Sequence, residues 1–218
     1  MTAGEPLIRW DWLLSHVPEI FQRLGEHLLL TGIAVSVGFV LAFLLSLTSV
    51  RWPWTYSPVT WVSGVLYTVP SLALFALLIP WTGLSLLTAE IGLVGYTLLI
   101  LVRGIVGGIQ SVPADVKEAA IAMGYTPTQL LWRVELPLAS GVIIAALRVA
   151  TVTTIGLTTV TALIGQGGLG YFILDGILRF FSTPLLVGAV LSVALALAAD
   201  GLLVLLHRLA TPWARAAR

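Results

Sequence analysis

Long apolar runs separated by short polar intervals dominate the chain. A helix crossing a bilayer needs about 20 mostly apolar residues. Five stretches meet that requirement, at roughly 27–50, 58–80, 88–109, 138–163 and 184–206. The interval from Trp10 to Leu24 has another pattern: Trp10, Leu13, Leu14, Val17, Ile20 and Phe21 recur at helical spacing among charges. That mixture predicts an amphipathic helix lying at the membrane interface, with a plain extension of the first span as the alternative. The pattern divides the chain into an interfacial segment at 1–26, a membrane domain at 27–210 with one long polar loop at 110–137, and a tail at 211–218.

Composition agrees with a membrane domain. Of 218 residues, 58% are hydrophobic and 10% charged, whereas a soluble domain carries roughly a quarter charged residues. So much apolar surface cannot fit inside one small core and must face lipid. The fold class that follows is an all-α integral membrane protein with about five transmembrane helices. A net charge of +1 gives no field for nucleic acid. Cysteine is absent, which excludes disulfides and thiolate metal sites. Glu5, Asp11, Glu19 and Glu26 near the start do not fit a cleaved signal peptide. With the N-terminus outside, Arg51, Lys117, Arg133, Arg208, Arg215 and Arg218 are cytoplasmic and Arg9, Arg23 and Arg179 external. That excess of inner cations favours this orientation and a cytoplasmic C-terminus.

Small residues form stripes on three of the spans: Ala34, Gly38, Ala42 and Ser46; Gly104 and Gly108; Ala146, Ala150, Thr154, Thr158 and Ala162. Close helix packing explains such stripes, and so does a pore lining. The polar loop is richer. Its segment PADVKEAAIAMGYTPTQLLWRVELP runs from Pro113 to Pro137. Asp115 with Glu118 predicts a capping box, and Val116, Ala119, Ala120 and Met123 predict one apolar helix face. Gly124 suits the left-handed position past a helix end. Thr126, Pro127 and Gln129 predict a second capped start, which Leu136-Pro137 then breaks before the fourth span. Two short helices joined by a tight turn need a cover for their apolar side, either the bilayer or a groove on a partner.

Glu118-Ala119-Ala120, three residues, Gly124, nine residues, Val134, one residue and Leu136-Pro137 resemble the "EAA" loop of bacterial ABC importer permeases. Val134 stands where that family has Ile. The resemblance implies that Glu118, Ala119, Ala120, Gly124, Leu136 and Pro137 form the coupling helix that seats in a nucleotide-binding ATPase subunit. It also implies a second permease chain, the same or homologous, an extracytoplasmic substrate-binding protein, and a place for this chain in the bacterial cytoplasmic membrane. ATP and magnesium would then be bound by the ATPase and no cofactor by this chain. The stretch Ile164-Gly165-Gln166-Gly167-Gly168-Leu169-Gly170-Tyr171-Phe172-Ile173, followed by Gly176-Ile177, is similar to osmoprotectant permeases. That similarity implies glycine betaine, choline or carnitine as cargo.

Other signals are weaker. Gly165, Gly167 and Gly170 match GxGxxG, but a dinucleotide site needs that pattern between a strand and a helix. Here it follows a span, so an outer bend or close turn is expected. No Walker A sequence is present. His16 and His27 are expected at the interface and His207 at an inner helix end, without metal-ligand spacing. Arg103, Arg148 and Asp200 fall within spans, roughly 9–17 Å from the inner helix ends. Such charges face protein or water, so Asp200 is expected to pair with Arg148 or Arg103, as a packing lock or part of a gate. Tyr67, Trp81, Tyr96, Tyr171 and Phe172 are candidates to line a path for a quaternary ammonium by cation–π attraction, although aromatic residues also populate membrane interfaces. An ion-driven secondary transporter would need repeats or broken helices around an ion site. An embedded enzyme would need a fuller polar constellation than these three charges. A scaffold would leave the loop spacing unexplained.

Overall fold

The structure, a computed structural model, describes residues 7–210. Within that range all regular structure is helical: α1 Trp10–Ser15, α2 Val17–Arg51, α3 Tyr56–Thr68, α4 Ser71–Thr82, α5 Leu86–Gln110, α6 Ala114–Ala122, α7 Pro127–Leu130, α8 Leu136–Thr158, α9 Gly170–Leu178 and α10 Ser182–Ala210. The expected tail at 211–218, with Arg215 and Arg218, lies outside the described residues, as does 1–6. Bilayer-long apolar helices recur because a backbone in lipid must satisfy its own hydrogen bonds. Four helical stretches are long and apolar enough to cross: 17–51, 86–110, 127–164 and 182–208.

The second expected span, 58–80, is not one helix. Its two arms, Pro53–Thr68 and Ser71–Thr82, meet at 101°. Pro70 is the cause. It supplies no N–H, and it holds Val69 extended at φ −65° and ψ 129°. Tyr96 Oη donates to the freed Val69 carbonyl. The arms still carry the chain across. Leu30 and Ala34 share a cluster with Ala89 and Leu93, and Ala42 packs with Leu101 and Ile105, so α2 and α5 run parallel. The segment between them must therefore return from the Arg51 side to the Leu86 side. Contacts of α8 with α5 and α10 are antiparallel, as at Gly104 with Ala146 and Arg148 with Asp200. The result is five passages. Arg51, the 110–137 loop and the end of α10 lie on one side, and α9 on the other.

The predicted interfacial helix is also corrected. Only α1 stands apart, and from Val17 the chain is continuous with the first span. That outcome matches the extension alternative. His16 marks the joint, with Pro18 in the first turn of α2. A proline is tolerated there because first-turn N–H groups have no helical partner.

The small-residue stripes are packing surfaces. Ala34, Gly38, Ala42 and Ser46 are all buried on α2. A Cβ at Gly38 would lie 2.0 Å from Thr97 Oγ1, and one at Gly104 would lie 2.1 Å from Ala146 Cβ. No ordinary residue fits at either crossing. On α8, Ala150, Thr154 and Thr158 are buried. Helix α5 is the centre of the bundle, with Leu101, Val102, Ile105, Val106 and Ile109 almost wholly inaccessible.

Candidate functional site

The polar loop is rigid, and local chemistry explains most of that. Helix α6 ends in paired reverse bonds: Gly124 N–H donates to Ile121 O (2.9 Å) and Tyr125 N–H to Ala120 O (3.1 Å). Gly124 sits at φ +86°, which a Cβ disfavours. At Thr126 the capping box is complete. Gln129 N–H donates to Thr126 Oγ1, and Thr126 N–H donates to Gln129 Oε1. The box expected from Asp115 and Glu118 does not form. Pro113 takes the N-cap position, and Asp115 falls inside the first turn, where its charge still suits the helix dipole.

Pro137 does not break the second helix. Residues 131–135 widen into a π-turn, and the chain continues as one helix from Pro127 to Ile164. A proline ring presses on the carbonyl four residues back. The wider turn relieves that contact and absorbs the missing N–H.

Two residues that no motif singled out hold the loop to the bundle. Lys117 Nζ lies 2.8 Å from Glu135 Oε1 and also donates to Ile109 O at 3.2 Å. It thereby joins α6 to the π-turn and to the last turn of α5, whose terminal carbonyls lack helical donors. Glu135 is 8% exposed. Ala120 faces inward, whereas Glu118 and Ala119 face outward. Ile121, Met123 and Trp132 are 58%, 70% and 54% exposed, an apolar surface on a polar loop. Leu136 is half-buried and Pro137 exposed.

The three charges inside the spans do not converge. Arg148 and Asp200 form a bidentate pair, Nε to Oδ1 and Nη2 to Oδ2, both 2.8 Å. Arg103 is exposed on α5 and makes no ion pair among the described residues. A further acid escaped notice in the sequence. Glu90 is buried between α5 and α2 with neither carboxylate oxygen hydrogen-bonded.

On the side away from the loop, the glycine-rich stretch is a tight turn clamped on α2. Gly165 and Gly168 have φ of +76° and +77°. Gly168 N–H donates to Glu26 Oε2 (3.0 Å), and Leu169 N–H donates to His27 Nδ1 (3.2 Å). A Cβ at Gly170 would lie 2.0 Å from the Thr159 carbonyl oxygen. His27 is wholly buried rather than interfacial. Its Nε2 donates to Ile155 O at 3.1 Å, which fixes a neutral tautomer. The candidate aromatics separate. Phe172 is 1% exposed and packs edge-on to Trp12. Tyr171 has Arg23 over its ring at 3.9 Å. Tyr67 and Tyr96 meet edge to face at 5.9 Å, with Tyr67 more open. Trp81 is 79% exposed.

Five passages and a polar loop with an exposed apolar face define a helical integral membrane protein. Residues 29–211 match the family described as the binding-protein-dependent transport system inner membrane component, and the chain belongs to that family. It is therefore a non-enzymatic, multi-pass protein of the inner membrane, which sets aside the ion-driven, enzymatic and scaffold alternatives. It is 36% identical over 206 residues to the osmoprotectant import permease protein OsmW of Salmonella typhimurium, covering 92% of this chain and 96% of that one. It is 32% identical over 202 residues to the choline transport system permease protein OpuBB of Bacillus subtilis, covering 93% of each. In fold it is similar to a chain of the inward-facing MetNI methionine ABC transporter, with TM-score 0.79 and 20% identity over 90% of this chain and 98% of that one.

Proposed function

We propose that this chain is the permease subunit of an ATP-driven importer for quaternary ammonium osmoprotectants such as glycine betaine, choline and carnitine. The observation that carries this reading is the near full-length likeness to permeases named for osmoprotectant and choline transport. In this reading the N-terminus is external and the polar loop and C-terminus are cytoplasmic. Ile121, Met123 and Trp132 seat in a nucleotide-binding ATPase subunit, with Glu118 and Ala119 at the same surface. The turn at Gly124 sets the angle of that contact, and the continuous helix through Leu136 and Pro137 carries it into the membrane. Two permease chains, identical or homologous, enclose the path, and an extracytoplasmic binding protein delivers solute. ATP and magnesium reside in the ATPase, and this chain holds no cofactor. ATPase closure moves the loops and turns the path outward. Release of solute and hydrolysis then reset it.

The test is purification from the native membrane in mild detergent, followed by reconstitution into liposomes. An ATPase should co-purify, and glycine betaine or choline with its binding protein should raise hydrolysis. A preparation with no associated ATPase would overturn the importer reading. Stimulation by unrelated solutes alone would overturn the cargo.

A further inference from the structure

The Arg148–Asp200 pair has the marks of a site rather than a buried lock. It lies about 15–18 Å from the loop-side ends of α8 and α10, near mid-membrane. Its side chains nevertheless remain 36% and 32% accessible. They stand in a groove of about 630 Å³ between α8 and α10, walled by Ala145, Val149, Val152 and Thr153 on α8 and by Val193 and Leu197 on α10.

Helix geometry identifies which flank this is. Gly104 faces Ala146 and Gly108 faces Ala139 and Val142 across the antiparallel α5–α8 crossing. At 100° per residue, Arg103 and Gly107 fall on the flank of α5 where α8 presents Ala145 and Val149. Helix α2 covers the opposite flank, where it lines a second groove with Leu147, Thr151 and Ile155. One flank of the bundle thus carries Arg103, Arg148 and Asp200, and Arg103 is an exposed cation with no ion pair among the described residues. Charge at this depth is not left against lipid; it faces water or protein.

We propose that this flank lines the translocation path and that Arg148 and Asp200 together bind a zwitterionic solute, a carboxylate joined by a short linker to a quaternary ammonium. The proposal rests on the importer reading above and names the residues that recognise its cargo. The chemistry matches at both ends. The guanidinium fork that now holds Asp200 through two N–H groups offers the same two donors to a solute carboxylate. The displaced Asp200 then faces the solute's ammonium. That ammonium has no N–H to donate, so it needs charge and apolar contact rather than hydrogen bonds, and Val149, Val152, Val193 and Leu197 supply the contact. In the empty site the two residues neutralise each other.

The experiment uses the complete transporter, permease with its ATPase and binding protein, in liposomes, with radiolabelled glycine betaine (a zwitterion) and choline (a cation without a carboxylate). Arg148→Gln should lower glycine betaine uptake about tenfold or more and choline uptake far less, because only the carboxylate's partner is lost. Asp200→Asn should lower both. The double variant Arg148→Leu/Asp200→Leu removes the charges without leaving either unpaired. It should assemble normally on size-exclusion chromatography yet transport glycine betaine poorly. Wild-type rates in that double variant would show a packing contact only and overturn the proposal. Loss of the permease dimer with the monomer still folded would place a second copy on this flank and overturn it equally. If the wild type carries neither solute, the cargo reading itself has failed, and this proposal goes with it.

Discussion

Replacing Lys117 by Met tests whether the loop is held as a rigid body. Lys117 Nζ makes two contacts, 2.8 Å to Glu135 Oε1 and 3.2 Å to Ile109 O. Methionine keeps the length of the side chain and removes the charge. The larger loss is on the partner, because Glu135 is only 8% exposed and would keep a carboxylate with no cation. Breaking a fully buried pair costs about 3–5 kcal/mol. The Lys117 side chain is 26% exposed, so water recovers part of that, and a cost of about 2–3 kcal/mol is reasonable. At 1.4 kcal/mol per decade, the undocked loop becomes about 30–150 times more populated. Amide exchange over 114–135 in the reconstituted transporter should accelerate by that factor, while exchange in α5 and α10 stays unchanged. Transport per ATP hydrolysed should fall, because a loose loop transmits less movement. Adding Glu135→Leu should recover much of the protection, since no charge is then stranded. Unchanged exchange in Lys117→Met, or no recovery in the double variant, would refute the clamp.

Gly124→Asp should uncouple hydrolysis from uptake, since a residue with a Cβ at φ +86° costs about 1–2 kcal/mol and tilts α6; normal coupled uptake would count against the turn's role. Met123→Glu places a charge on a residue 70% exposed, so permease folding should persist while ATPase co-purification falls, and intact co-purification would move the docking surface elsewhere. Gly170→Ala should destabilise the permease by several kcal/mol, because the new methyl meets the Thr159 carbonyl at 2.0 Å; a thermal melt within a degree of wild type would contradict that packing. Glu90→Leu removes a buried carboxyl with no hydrogen bond and should raise the melting temperature, by about 1–3 kcal/mol of added stability; a lower melting temperature would mean that the carboxyl has a partner in the native membrane.

What the chain reveals in advance depends on how local each cause is. The apolar lengths needed only a count along the chain, so all five passages were legible. The Thr126 box closes within three residues and was legible for the same reason. The kink at Val69–Pro70 was hidden because the run around it stays apolar on both sides. Pro137 misled in the other direction, since a local rule predicts a break and a π-turn avoids it. Asp115 has the right spacing to Glu118 for a cap, but Pro113 fixes the helix start two residues earlier. Distant partners were out of reach. Nothing near His27 announces that it bridges Ile155, 128 residues away, and Leu169, 142 away. The Lys117–Glu135 clamp joins two turns whose meeting depends on the fold. Arg148 and Asp200 were recognisable as a pair only because charge is so rare in the spans.

The uninterrupted helix from Pro127 to Ile164 has a mechanical meaning. Its 38 residues reach about 57 Å, nearly twice the roughly 30 Å hydrocarbon layer. It is a lever with one arm in the membrane and the other outside it. Rocking it by about 10° about its far end would swing Pro127 by about 10 Å. Small rotations inside the bundle and large strokes at the loop are therefore one motion. Had Pro137 broken the rod, a push on the loop would have been spent in bending a joint.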